Sequence, residues 1–138
     1  LKGCIKMNNM VLADTSGWIE SFKINGDSKI IKVMQILIKE GILVTTGMVI
    51  FELLKGALNI KEYKMLEEKL KYFESLEFKE EYWHKASLLS FELSKDGFKI
   101  PPPDIIVAIV AIENNCSIFH CDRHFEFIAK HSNLKIYR

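Results

Sequence analysis

The chain has 138 residues, 49% apolar and 27% charged, the profile of one globular domain large enough to bury roughly two-thirds of its unfolded surface. Its 19 basic and 18 acidic residues leave a net charge of +1, which argues against gripping a polyanion through bulk charge and requires any such grip to be local. No apolar run approaches the roughly 20 residues that span a bilayer, so no membrane partner is expected.

Residues 1–9 lack the apolar core of a signal peptide, and Met7 and Met10 both read as starts. The expected layout is therefore an N-terminal extension over 1–9 and a single domain over 10–138. Three cysteines, Cys4, Cys116 and Cys121, are an odd number in a chain too large to need disulfide staples, which points to a reducing cytoplasm.

Met10 to Ala13 is an apolar run ending at Asp14-Thr15-Ser16, read as a buried strand followed by a helix start. Trp18, Ile19 and Phe22 continue that helix until Asn25-Gly26-Asp27, and Ser28 is the expected cap of a second helix, stopped by Gly41. Ile42 to Thr46 reads as a second strand, Met48 to about Leu58 as a helix, and Ile60 to Glu74 as an amphipathic stretch with Tyr63, Leu66, Leu70 and Phe73 on one face. Leu76 and Phe78 suggest a third strand, and Glu80 to Asp96 a helix closed by Gly97.

Pro101-Pro102-Pro103-Asp104 then opens a run of eight apolar residues, Ile105 to Ile112. A helix apolar all round belongs in an interior or an interface, so this one is expected in the core with a share in dimer contacts. Asn115 is the expected left-handed cap, Cys116 to His120 a fourth strand, Arg123 to His131 a helix, and Leu134 to Ile136 a fifth strand. Short buried strands alternating with helices indicate an α/β fold: one domain with a central, mainly parallel sheet of four or five strands flanked by helices.

In such sheets ligands bind beyond the carboxyl ends of the strands, where strand order reverses. Asp14 follows the first strand and Asp122 the fourth, and Asp104 opens the helix leading into the fourth, so all three are expected on that rim. Each has an ordinary alternative. Asp14 and Asp122 can cap helices, and Asp104 can complement a helix dipole. Glu52 is the one charge in Met48-Val49-Ile50-Phe51-Glu52-Leu53-Leu54, so it either faces a cleft or shares a narrow wet face with Lys55. Four carboxylates on one rim would repel unless a cation joins them, and a hard divalent ion, Mg²⁺ or Mn²⁺, wants such oxygen ligands. An ion of this kind suits phosphodiester hydrolysis, because it activates water and neutralises charge on the phosphate.

Four stretches resemble the PIN domain family, and within it the VapC-like toxin ribonucleases of VapBC toxin–antitoxin systems: Val11-Leu12-Ala13-Asp14-Thr15-Ser16, Val49 to Gly56 around Glu52, Pro103-Asp104-Ile105-Ile106-Val107-Ala108, and His120-Cys121-Asp122-Arg123-His124-Phe125. The likeness covers about residues 10 to 137. It implies a PIN-like nuclease domain in which Asp14, Glu52, Asp104 and Asp122 are both catalytic residues and ligands of one or two Mg²⁺ or Mn²⁺ ions. It further implies an RNA substrate, a cognate antitoxin protein and a homodimer. Ser16 occupies the family's hydroxyl position beside the metal, and Arg123 joins it as a substrate-binding candidate. The chain departs from the family in bulky Ile105 and Ile106 after the third acid and in a thin basic rim of Arg123, Lys55, Lys23 and Lys99.

Other chemistries fit less well. Cys116, His120, Cys121 and His124 invite a zinc site, but alternation along a strand would point Cys121 away from its neighbours. His84 and His131 fall on helices without visible partners, and Trp18, Phe22, Trp83 and Phe91 read as core or dimer contacts. A phosphoacceptor receiver domain would want paired acids after the first strand, where Asp14 stands alone. The alternative to a nuclease is a non-catalytic PIN-fold module for protein or RNA binding.

Overall fold

Val11–Ala13, three consecutive apolar residues sealed from water, form β1 at the centre of a five-stranded sheet in a computed structural model that describes residues 9–138. The extension expected over 1–9 lies, apart from Asn9, outside the described residues. β1 is flanked by β2 (Leu43–Thr46) and β4 (Ser117–Phe119), with β3 (Glu74–Leu76) and β5 (Lys135–Ile136) at the edges, giving the order β3-β2-β1-β4-β5. Every pairing is parallel, with Leu12 opposite both Val44 and Ile118. The expected four or five mainly parallel strands are thus five, all parallel. A strand sealed on both faces by helices needs apolar residues at consecutive positions, which is why β1 reads as a run rather than an alternation.

Helices α1 (Thr15–Phe22) and α2 (Ser28–Lys39) join β1 to β2; α3 (Gly47–Lys55) and α4 (Ile60–Leu70) join β2 to β3. α5 (Tyr82–Lys95) and α6 (Pro102–Glu113) lead to β4, and α7 (Arg123–Lys130) leads to β5. The chain moves outward from β1 in one direction through β2 and β3, then returns to β1's other side with β4. Strand order therefore reverses between β1 and β4, and a crevice opens at their carboxyl ends.

Several boundaries differ from expectation. The cap of α2 is Asp27, whose carboxylate accepts from the amides of Lys29 and Ile30, and Ser28 is already helical. α3 stops at Lys55 with Gly56 as its cap, leaving Leu58 outside. α4 ends at Leu70, not Glu74, because Glu74 opens β3 opposite Val44, two residues before the expected strand. Gly41, Gly97 and Asn115 all take left-handed backbone, as turn positions require. Gly26 is needed for a different reason: a Cβ there would fall 2.1 Å from the carbonyl oxygen of Glu20.

α6 is buried by its own domain. Ile105, Val107, Ala108, Ile109, Val110 and Ala111 are each at most 3% exposed, and the helix packs on α3, α5, α7 and β4. Most of the apolar surface expected of α6 is therefore spent inside its own domain, with Ile106 and Ile112 left partly exposed. The exposed apolar side chains lie elsewhere, among them Phe51 on α3 and Trp83, Leu88 and Phe91 on α5.

Candidate active site at the carboxyl ends of β1 and β4

Asp14 leaves the sheet at the end of β1 and caps α1, its Oδ1 accepting from the Ser16 hydroxyl at 2.5 Å and the Gly17 amide at 3.3 Å. The Ser16 oxygen in turn accepts from the backbone N–H of Cys121 at 3.2 Å, tying the β1–α1 corner to the β4–α7 corner. Asp122 caps α7 in the same manner, accepting from the amide of His124 at 3.0 Å. Asp104 sits in the first turn of α6, set there by Pro101 and the two prolines that begin the helix. Glu52, midway along α3, is half-buried, and its Oε1 accepts from the Thr15 hydroxyl at 2.6 Å.

The four carboxylates line one cleft of about 250 Å³, together with Thr15, Ser16, Ile19, Val107 and Phe125. The structure therefore brings together all four acids singled out in the sequence. The ordinary and the functional explanations hold at once for Asp14 and Asp122, since one carboxylate oxygen caps a helix while the side chain still borders the cleft. A larger cleft of about 520 Å³, lined by Trp18, Phe22, Met34 and Phe73, carries no carboxylate and offers no comparable chemistry.

Electrostatics mark the acid cleft as strained without a cation. Burial pushes Asp14 up to about 6, against the lowering effect of its bonds to Ser16 and Gly17, and the charge of Asp104 adds to the rise. Asp104 is also raised, first by burial and then by the charges of Asp122 and Glu52, with His124 working the other way.

The sequence marks His124 only as a zinc candidate beside the cysteines, and its partnership with the acids emerges in the structure. Its Nδ1 lies 2.9 Å from Oδ2 of Asp104 and 3.2 Å from Oδ2 of Asp122. Among the described residues this trio forms the group of donors close enough to share one ion, each donor atom within 4.8 Å of the others. Thr15 reads in sequence as part of a helix start, and its bond to Glu52 emerges only in the fold. The available signal was spacing: a histidine two residues after a capping acid puts both side chains at the same helix mouth.

His120 lies behind this loop. Its Nδ1 accepts from the amide of Asp122 at 3.1 Å, so its proton sits on Nε2 and donates to Glu126 at 2.7 Å. Arg138 holds the other oxygen of Glu126, whose carboxyl is kept below the usual range by Arg138 first and His120 second. His131, expected to lack partners, faces Asp96 at 3.1 Å. The cysteine–histidine zinc site does not assemble: Cys116 is buried and Cys121 exposed, and neither belongs to the group of donors close enough to share an ion. Burial pushes the Cys116 thiol up to about 11 and raises that of Cys121, so neither is poised as a thiolate nucleophile.

The basic rim is as thin in space as in sequence. Arg123 and Lys99 are exposed; Lys23 pairs with Glu20 at 2.6 Å, and Lys55 lies over the Phe51 ring. Ser16 borders the cleft, but its hydroxyl is engaged on both sides.

The sequence profile described as PIN domain matches residues 11–131. The chain belongs to the PIN domain family. The match starts at β1 and ends just past α7, so it spans all four acids of the cleft. Among relatives in this PIN family, a VapC ribonuclease of Mycobacterium bovis and ribonuclease VapC11 of Mycobacterium tuberculosis are each 26% identical over 129 residues, covering 91% of this chain and 96% of theirs. Solved structures share the fold. A DNA-bound VapBC from Salmonella typhimurium superposes with a TM-score of 0.77 at 19% identity, over 93% of this chain and 96% of that one. FitAcB from Neisseria gonorrhoeae gives 0.76 at 20% identity, over 94% and 97%.

Proposed function

We propose that this PIN domain is a divalent-metal-dependent endoribonuclease that hydrolyses RNA phosphodiester bonds, the toxin of a toxin–antitoxin pair acting in the cytoplasm. The observation that carries this reading is the cleft: four carboxylates from four separate helices and corners, one of them 6% exposed, converge on one space. A binding module has no use for such an arrangement, which costs stability in the absence of a cation and repels RNA. The relatives named as VapC ribonucleases point to RNA as the substrate class, and the structural likeness to a VapBC toxin–antitoxin system points to an antitoxin as partner.

The donor set fits Mg²⁺ or Mn²⁺, because carboxylate oxygens are hard ligands and the exposed side of the cleft leaves room for water. Asp104 and Asp122 would share an ion, and Asp14 and Glu52, which border the same cleft, would complete a site for one or two such ions. Bound there, such an ion supplies Lewis acidity toward the phosphate and lowers the pKa of the attacking water. The protein does the rest by positioning. Thr15 fixes Glu52, and Ser16 locks Asp14 while holding the Cys121 amide, so Ser16 acts through Asp14 rather than on the substrate. The second oxygen of Glu52 has no hydrogen-bond partner among the described residues and is free to accept a proton from water. Arg123, exposed and next to Asp122 in sequence, would meet an RNA phosphate.

Cleavage of total RNA tests this directly. With Mg²⁺ or Mn²⁺ the protein is expected to cut; EDTA should abolish cutting, and Asp104→Asn should reduce it by about a thousandfold or more, since several kcal/mol of metal-borne stabilisation is lost. Undiminished cleavage by Asp104→Asn would remove these acids from the mechanism. A homodimer is expected as well, and exposed apolar side chains such as Phe51 on α3 and Trp83 and Phe91 on α5 are available to it; sedimentation showing only monomer at micromolar concentration would remove it.

A further inference from the structure

We propose that His124 is itself a ligand of the metal, and that its imidazole turns the site toward a first-row transition ion such as Mn²⁺ in preference to Mg²⁺. This rests on the reading of the cleft as a metal centre and adds a nitrogen donor to its four oxygen ligands.

The geometry points to it in three ways. Nδ1 of His124 stands 2.9 and 3.2 Å from one oxygen each of Asp104 and Asp122. Neighbouring donors on an octahedron with metal bonds near 2.1 Å are about 3 Å apart, so Nδ1 already sits at adjacent-corner spacing from each carboxylate oxygen, and the three atoms lie within 4.8 Å of one another. The ring is also held at its root: the His124 amide is bound by Asp122, and the next residue, Phe125, is 1% exposed in the core. Finally, the polar contacts of the imidazole among the described residues are these two carboxylates and no competing partner. The side chain is 27% exposed, which leaves the ion a path from water. Nδ1 now faces both carboxylates at hydrogen-bond distance, and an incoming ion would take the place between them.

The consequence is selectivity. Carboxylates and water serve Mg²⁺ and Mn²⁺ alike, whereas affinity for an imidazole nitrogen rises along the first transition row and is poor for Mg²⁺. A purely carboxylate cleft would discriminate little; this one would favour the transition ion.

The test uses the full chain stripped of metal and titrated with Mn²⁺, followed by electron paramagnetic resonance, with Mg²⁺ measured by competition. Pulsed measurement is expected to show ¹⁴N bound directly to Mn²⁺, with the signal lost in His124→Asn. In that variant Mn²⁺ affinity should fall about tenfold while Mg²⁺ affinity changes by less than about threefold. His124→Gln, checked like the first for a native near-ultraviolet dichroism spectrum, should behave the same way. Mn²⁺ bound without a ¹⁴N signal, or with a signal that survives both substitutions, would overturn the role of His124 and leave the metal centre standing. Failure of the parent to bind Mn²⁺ at all would overturn the metal centre, and this inference with it.

Discussion

Asp14→Asn should destroy RNA cleavage, by about a thousandfold or more, and at the same time make the metal-free protein more stable at neutral pH. The two effects share one cause. The folded protein raises Asp14 from its ordinary 3.8 to about 6, chiefly by removing it from water. An acid whose folded pKa is raised disfavours folding only when ionised. The metal-free parent should therefore lose nothing below pH 4, lose stability as pH climbs from about 4 to 6, and carry the full penalty above that. The shift corresponds to at most about 3 kcal/mol. Asparagine can still accept from Ser16 and Gly17 through its oxygen, so the helix cap survives while the charge is gone. In a chelating buffer at pH 7 the variant is expected to melt about 5–10 °C above the parent, and the two should converge at pH 4. A parent whose melting temperature is flat between pH 4 and 7 would show that this carboxylate is not desolvated.

Trp18 should separate packing from hydrogen bonding. The side chain is 2% exposed, with its ring edge-on to Phe73 at 4.9 Å and stacked on Phe22 at 6.0 Å. Its Nε1 is buried with no partner. Trp18→Ala removes the packing and should cost about 3–5 kcal/mol. Trp18→Phe removes a donor whose unmade bond costs about 1–3 kcal/mol and keeps most of the ring, so its net effect should stay within about 1.5 kcal/mol. Urea midpoints measure both. Equal losses in the two variants would mean that the indole N–H carries no penalty.

These two residues also mark the range of what the sequence discloses. Trp18 sits in a helical pattern beginning after a strand-ending acid, and local periodicity suffices to place it in the core. β1, β2 and α6 are legible for the same reason: elements buried on all sides must be apolar at consecutive positions. β3 is harder. Glu74-Ser75-Leu76 is a half-exposed edge strand with no apolar run, and the helical spacing of α4 continues in sequence through Phe73 after the helix itself has ended. Asp27 and Ser28 are adjacent and equally good caps, so only backbone angles decide between them. In the cleft, each acid is visible by its position after a strand or in an apolar run. His124 is not, because its meaning depends on Asp104, 20 residues earlier, and on the fold that closes that gap. Thr15 depends in the same way on Glu52, 37 residues later.

The central place of β1 has a consequence for how the protein is made. Val11 to Ala13 leave the ribosome long before one of their two flanking strands, Ser117–Phe119. The tie from Ser16 to Cys121 spans 105 residues, and Asp122 and His124 come later than either strand. Pairings of such sequence separation form late, after the loop between them has been closed. A nascent chain, or one cut short on a broken message, holds Asp14, Glu52 and even Asp104 without the corner that gathers them. The acid cleft is thereby assembled only after residues as late as Asp122 and His124 have been made and the β4–α7 corner has closed on Ser16.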